Sequence, residues 1–179
     1  MPSPVGHALG GIAAGWLMQP GSPGVWSRET RARTLGFAAL GMAADLDLLL
    51  GTHRGPTHSL TAALIVGVTA WAILGRDRRS RWLALAAAAA YASHPLLDWL
   101  GEDSSPPLGL QVLWPWSAAY LHAPWPIFLA VSRRLRHPEL FWVPNVLALA
   151  RELVILVPVV ALVGWWRSRS SSGRRAGRI

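Results

Sequence analysis

The stretch "HRGPTHSLTAALIVGVTAWAILG", His53 to Gly75, decides how the chain is read. From Thr57 to Gly75 it holds no aspartate, glutamate, lysine or arginine. An uncharged apolar run of roughly 18 residues or more is read as a transmembrane helix. Two imidazoles and a guanidinium nevertheless collect at its entrance, His53, Arg54 and His58, around Pro56. Proline suits the first turn of a helix, which puts Thr57 and His58 just inside its start. The composition agrees with a membrane bundle. Hydrophobic residues make up 52% of the 179 and charged residues only 15%, a balance ordinary for a polytopic membrane protein and poor for a soluble one.

Working outward, four further apolar runs stand out: Val5 to Met18, about Thr34 to Leu50, Trp82 to Leu100, and about Val146 to Trp166, with a kink expected at Pro158. Soluble core helices are the alternative for the two short early runs. Against it, the eleven tryptophans lie mostly near run ends, as in an interfacial aromatic belt. Residues 104–144, with "LQVLWPWS" and "HAPWPIFLAVS", are rich in Pro and Trp and too broken to span. They read as interfacial or re-entrant helices. The expected fold class is all-α: a polytopic membrane helical bundle of four to five transmembrane helices. It forms one domain over 1–167, followed by a basic, disordered cytoplasmic tail at 168–179. The N-terminal "MPSPVGHALGG" has no basic n-region and no evident cleavage site, so a cleaved signal peptide is not expected.

All 17 basic residues are arginine, and the net charge is +8. The arginines sit in short patches between apolar runs and at the C-terminus, which is the pattern of cytoplasmic loops. No DNA-binding helical motif accompanies them, so direct nucleic-acid binding is not expected. Arg76, Arg78, Arg79 and Arg81 place their loop inside. Arg28, Arg31 and Arg33, and then Arg167 and Arg169, agree with that orientation. Arg133, Arg134 and Arg136 fall outside and are its exceptions. The absence of cysteine excludes thiolate ligands, cysteine nucleophiles and disulfides.

In this orientation His7, Asp45, Asp47, His53, His58, His94 and Asp98 all lie at the outer end of the bundle, from four separate segments. His94 and Asp98 are i and i+4 and share one helix face. Asp45 and Asp47 are i and i+2, about 200° apart on a regular α-helix. One therefore reads as a ligand and the other as support for a neighbouring ligand, unless the helix end is distorted. Carboxylates buried among apolar helices are costly, and a cation is the simplest compensation. Imidazole and carboxylate without thiolate suit Zn, with Mn or Fe as alternatives, and the number of ligands allows one or two ions. The expected chemistry is a metal-activated water as nucleophile, Asp47 as general base if it stays off the metal, and His53 as the acid for the leaving group. Arg54 and the free N–H groups of the third helix would favour an anion such as phosphate. His122 and His137 read as loop or interfacial residues.

The motifs "HALGG", "DLD", "HRGPTHSL", "HPLLDWL" and "GLQVLWPWS", in that order from His7 to about Ser117, resemble the YdjM-type inner-membrane proteins. These are also labelled LexA-binding or LexA-regulated and described as metal-dependent hydrolases. The resemblance implies a bacterial inner-membrane protein with metal-dependent hydrolase activity. The chain departs from the family's Pro-Asp-x-Asp-His at the second motif, where "ADLDLLL" has neither the proline nor the histidine. Arg151 and Glu152 fall near an acidic family position, which adds Glu152 as a catalytic candidate; a mutual ion pair between the two is the alternative. The order His, Asp, His, His-x-x-x-Asp also resembles, more distantly, all-helical zinc-dependent phospholipase C and nuclease enzymes. With Arg54 and a site at the periplasmic or extracellular interface, that makes a phosphoester-bearing lipid or other amphiphile the expected substrate, and membrane lipids the expected partners. Two other classes compete. A metal or proton transporter needs polar residues through the inner half of the bundle, where the third and fourth runs are Ala, Leu, Ile and Val. A non-catalytic membrane protein with a structural metal is the other.

Overall fold

The computed structural model describes residues 1–19, 27–50, 53–104 and 106–176. Among these the elements are helical: α1 (Pro4–Met18), α2 (Arg28–Met42), α3 (Leu60–Leu74), α4 (Arg78–Trp99) and α5 (Pro138–Ala176). Two 3₁₀ segments, Ala43–Leu50 and Pro56–His58, lie between α2 and α3. Four helices start on a side-chain cap, which satisfies amide groups that no helical carbonyl can reach. Ser3 Oγ accepts from Gly6 N at 3.2 Å, Ser27 Oγ from Thr30 N at 3.1 Å, Ser59 Oγ from Ala62 N at 3.1 Å, and Asp77 from Ser80 N at 2.8 Å. The Ser80 amide holds the Asp77 carboxyl below its ordinary range.

Pro56 does not open the third helix as the sequence predicts. It opens the separate 3₁₀ turn, in which His58 N donates to Gly55 O at 3.0 Å. Ser59, in extended backbone, then caps α3. The hydroxyl supplies an acceptor that proline lacks, so the helix starts after it.

α4 is the central helix and packs against α1, α2 and α3, while α5 lies along α1. Small residues let the backbones approach. Ala84, Ala86, Ala87 and Ala90 of α4 are buried. α1 crosses α2 at Gly11 and Gly41: a Cβ on Gly11 would stand 2.3 Å from Phe37 O, and one on Gly41 would stand 2.3 Å from His7 O. The crossing brings the carbonyl end of α2 against the start of α1. The far end is tied by Trp16 Nε1 donating to Thr34 Oγ1 and by Arg167 donating to Trp16 O. α1 and α5 thus run one way and α2 the other.

Residues 104–137 contain no α-helix among those described, which corrects the expected interfacial or re-entrant helices. Pro106, Pro107, Pro115, Pro124 and Pro126 remove amide donors and push the preceding residues toward extended backbone. The segment instead forms a strap across the helix ends. Leu60 N donates to Val112 O, Ala123 N to Trp99 O and Val131 N to Met1 O.

Within the described residues, Pro138–Arg169 of α5 is the one helix long and apolar enough to cross a membrane by itself. α1 and α3 have 15 residues each, about 22 Å at 1.5 Å per residue. α3 still turns Leu64, Ile65, Val68 and Ile73 outward. α5 continues as a helix to Ala176, through most of the segment expected as a disordered tail; residues 177–179 lie outside the described residues. Pro144 and Pro158 lie inside α5 and each removes one ladder hydrogen bond; no proline follows Pro158 to end the helix.

Candidate metal centre

Four helix ends meet beneath the strap. His7 comes from the first turn of α1, His94 and Asp98 from the last turns of α4, and His58 from the 3₁₀ turn before α3. Asp45 and Asp47 come from the 3₁₀ continuation of α2. The two groups Asp45, Asp47, His53, His58 and His7, His94, Asp98 each bring their ligand atoms within 4.8 Å of one another.

The groups join at His58. Its Nε2 lies 3.2 Å from His94 Nε2, 3.4 Å from Asp98 Oδ2 and 3.7 Å from Asp45 Oδ1. His94 Nε2 lies 3.5 Å from Asp45 Oδ1 and 3.2 Å from Asp98 Oδ2. Ligand atoms set 2.0–2.1 Å from a tetrahedral zinc stand about 3.3–3.4 Å apart. Five of the six edges joining His58, His94, Asp45 and Asp98 run from 3.2 to 3.7 Å, around the spacing such an ion imposes, with Asp45–His58 the longest. On the other oxygen of Asp98, His7 Nε2 approaches to 3.2 Å, with the His7 ring stacked on His94 at 3.8 Å.

The donor set fits a cation on a second ground. Both carboxylate oxygens of Asp98, and His7 Nδ1, are buried without a hydrogen-bond partner among the described residues. His7 and His94 stand 3.2 Å from the two oxygens of Asp98, and a divalent ion among them would add the compensation that a buried carboxylate needs.

The outer faces of the rings are also occupied. His94 Nδ1 donates to Gly41 O at 2.7 Å, a carbonyl placed there by the Gly11–Gly41 crossing. His58 Nδ1 lies 3.2 Å from Asp47 Oδ2 and 3.0 Å from Thr57 Oγ1. Such partners fix which nitrogen of a histidine faces a metal. Asp47 also accepts from Thr57 Oγ1 at 2.6 Å and pairs with His53 Nδ1 at 3.0 Å. With its oxygens taken in this way, Asp47 orients His53 and His58. Burial lowers the pKa of His53.

Arg54 is not a free anion receptor. Its backbone adopts φ 68°, and the guanidinium turns into a buried pair with Asp103 at 2.5 Å while donating to Pro107 O at 2.8 Å. The strap, 49 residues on, supplies that partner. Glu152 does not pair with Arg151, which is exposed. Fully buried, Glu152 accepts from Ser3 N at 2.7 Å and Ser3 Oγ at 2.5 Å, at the start of α1. His122 and His137 are exposed and outside the cluster.

A cleft of about 640 Å³ reaches the cluster from outside, with Asp45 in its wall. The Asp45 side chain keeps 26% exposure, against none for His58, His94 and Asp98. Sequence reasoning passed over Thr57, Gly41 and Asp103. Thr57 sits inside the quoted motif and could have been found there; Gly41 acts through its carbonyl and Asp103 through a distant loop, neither of which leaves a local pattern.

A family model described as YdjM inner membrane protein matches residues 1–171. No curated protein and no solved structure matches the chain.

Proposed function

Because the chain belongs to the YdjM inner membrane protein family, we propose that it is a multi-pass hydrolase of four to five spans, with a divalent cation held by His58, His94, Asp45 and Asp98. Zinc is the best match to the donor set, with Mn or Fe as alternatives. The observation that carries this reading is the convergence of those four side chains, with ligand atoms 3.2–3.7 Å apart along five edges. His7, facing the second oxygen of Asp98, gives a place for a second ion.

The arginines Arg33, Arg79 and Arg167 lie at the end of the bundle away from the cluster, where Glu29 pairs with the first two and Trp16 accepts from the third. By the positive-inside rule that end is cytoplasmic and the cluster faces the periplasm. A substrate reaching it from the interface is an amphiphile, and a phosphoester is the bond that such a centre suits.

A bound ion supplies Lewis-acid polarisation and a lowered water pKa. The chain supplies the rest. Asp47 and Gly41 hold His58 and His94 with Nε2 inward. Asp47 accepts the Nδ1 proton of His53, which leaves His53 Nε2 as an acceptor: it would take a proton from the attacking water and then return that proton to the leaving group.

Metal analysis of the purified full chain tests this, together with a phosphoester lipid screen. The expected result is about one to two equivalents of metal, with His94→Ala and Asp98→Ala losing metal and hydrolysis while remaining helical. A preparation that takes up no metal on titration would sink it.

A further inference from the structure

We infer that the cleft beside Asp45 selects anionic amphiphiles, with Arg133 and Arg134 as the residues that bind the negative headgroup. This rests on the reading of the cluster as a hydrolytic centre and names its substrate class.

The cleft runs from Asp45 and Leu48 to Arg133 and Arg134 on the strap and to Leu140 and Pro144 of α5. Its 640 Å³ lies in the range of small-ligand pockets. Arg133 and Arg134 are exposed, and neither forms an ion pair with a carboxylate among the described residues. Arg133 is close to the chemistry: its Nη2 lies 3.5 Å from His53 Nε2.

Charge accounting favours an anion. The one other guanidinium in the wall, Arg54, is neutralised by Asp103. The carboxylates of Asp45 and Asp98 would be offset by the ion they hold. That leaves two arginines with no opposite charge in the cleft. Orientation does not explain them either, because they lie at the cluster's end of the bundle rather than at the arginine-rich one. Guanidinium groups match phosphate oxygens with paired, charge-assisted hydrogen bonds. Leu48, Val131, Leu140 and Pro144 give the wall an apolar part, beside the polar Ser104 and Ser132, that suits a hydrocarbon tail. A headgroup gripped at Arg133 and Arg134 with its chain along that wall brings its ester linkage toward Asp45 and His53.

The test is equilibrium binding to the full chain in neutral-detergent micelles, with dodecyl phosphate and inorganic phosphate as probes and metal content measured on every sample. Dodecyl phosphate should bind saturably. The pair Arg133→Gln and Arg134→Gln should weaken it by about tenfold or more, and the pair Arg133→Lys and Arg134→Lys should recover most of the loss. Both substituted positions are exposed, so folding and metal content should not change. Equal affinity in wild type and the glutamine pair overturns the inference. Inorganic phosphate binding as tightly as dodecyl phosphate overturns its amphiphile part. Arginine-dependent binding in a protein that holds no metal would support this inference while ending the hydrolase reading. Metal-loaded protein with arginine-independent binding would do the reverse.

Discussion

Asp47 meets His58 from behind: its Oδ2 lies 3.2 Å from His58 Nδ1, while Nε2 on the far side of the same ring faces Asp45, His94 and Asp98. Two aspartates that are neighbours but one in sequence therefore serve the same imidazole from opposite edges. One completes the set of inward-facing atoms. The other holds the ring in the orientation that set requires.

The two should separate on substitution. Asp45→Asn removes an inward oxygen and is expected to reduce metal retention by more than about 100-fold, whereas Asp47→Asn should cost about 10- to 100-fold. Competitive titration with a chromophoric chelator measures both. Equal losses, or a larger loss at Asp47, would reverse the assignment of the two roles.

The Arg54–Asp103 pair predicts a stability defect. Both side chains are only 9% exposed. Arg54→Ala leaves a carboxylate buried without its cation and should destabilise the fold by about 3–5 kcal/mol. Thermal unfolding in detergent reads this, and the double change Arg54→Ala with Asp103→Ala should cost less than the two single changes summed. A normal melting curve for Arg54→Ala would mean that the pair contributes little.

Glu152 gives a third, contrasting case. Its carboxylate is fully buried on Ser3 N and Ser3 Oγ, so Glu152→Ala should lower stability by about 1.5–3 kcal/mol. Metal content at a temperature where the protein stays folded should be unchanged. Loss of metal from a folded Glu152→Ala protein would bring the residue into the cluster instead.

The seven candidate ligands were legible because charge is scarce in apolar runs. His94 and Asp98 needed only helical spacing. His7 and His58 needed only the direction in which each helix runs. That Asp45 and Asp47 divide into one inward residue and one supporting residue was legible from their i, i+2 spacing; which takes which part was not, because the sequence does not say that α2 tightens to a 3₁₀ helix at Ala43. With three residues per turn, positions i and i+2 stand about 120° apart, enough for the pair to straddle one ring. Arg54 was misread for a different reason. Its partner lies in the Pro-rich strap, and no local pattern joins residues 49 apart. The strap reads as interfacial helices in the sequence because its Trp content suits a membrane surface. The five prolines, which decide backbone donors rather than hydrophobicity, outweigh that content.

The strap and α5 also set an order in time. Every residue of the His/Asp cluster lies at or before Asp98, whereas the strap and the Leu140 side of the cleft come after it. As the chain leaves the ribosome, the first four helices carry the full set of candidate metal ligands before the cleft's last wall has been synthesised. During that interval the candidate ligands are all present while the cleft beside Asp45 still lacks its Leu140 wall, so any ion the cluster holds could enter before that wall closes.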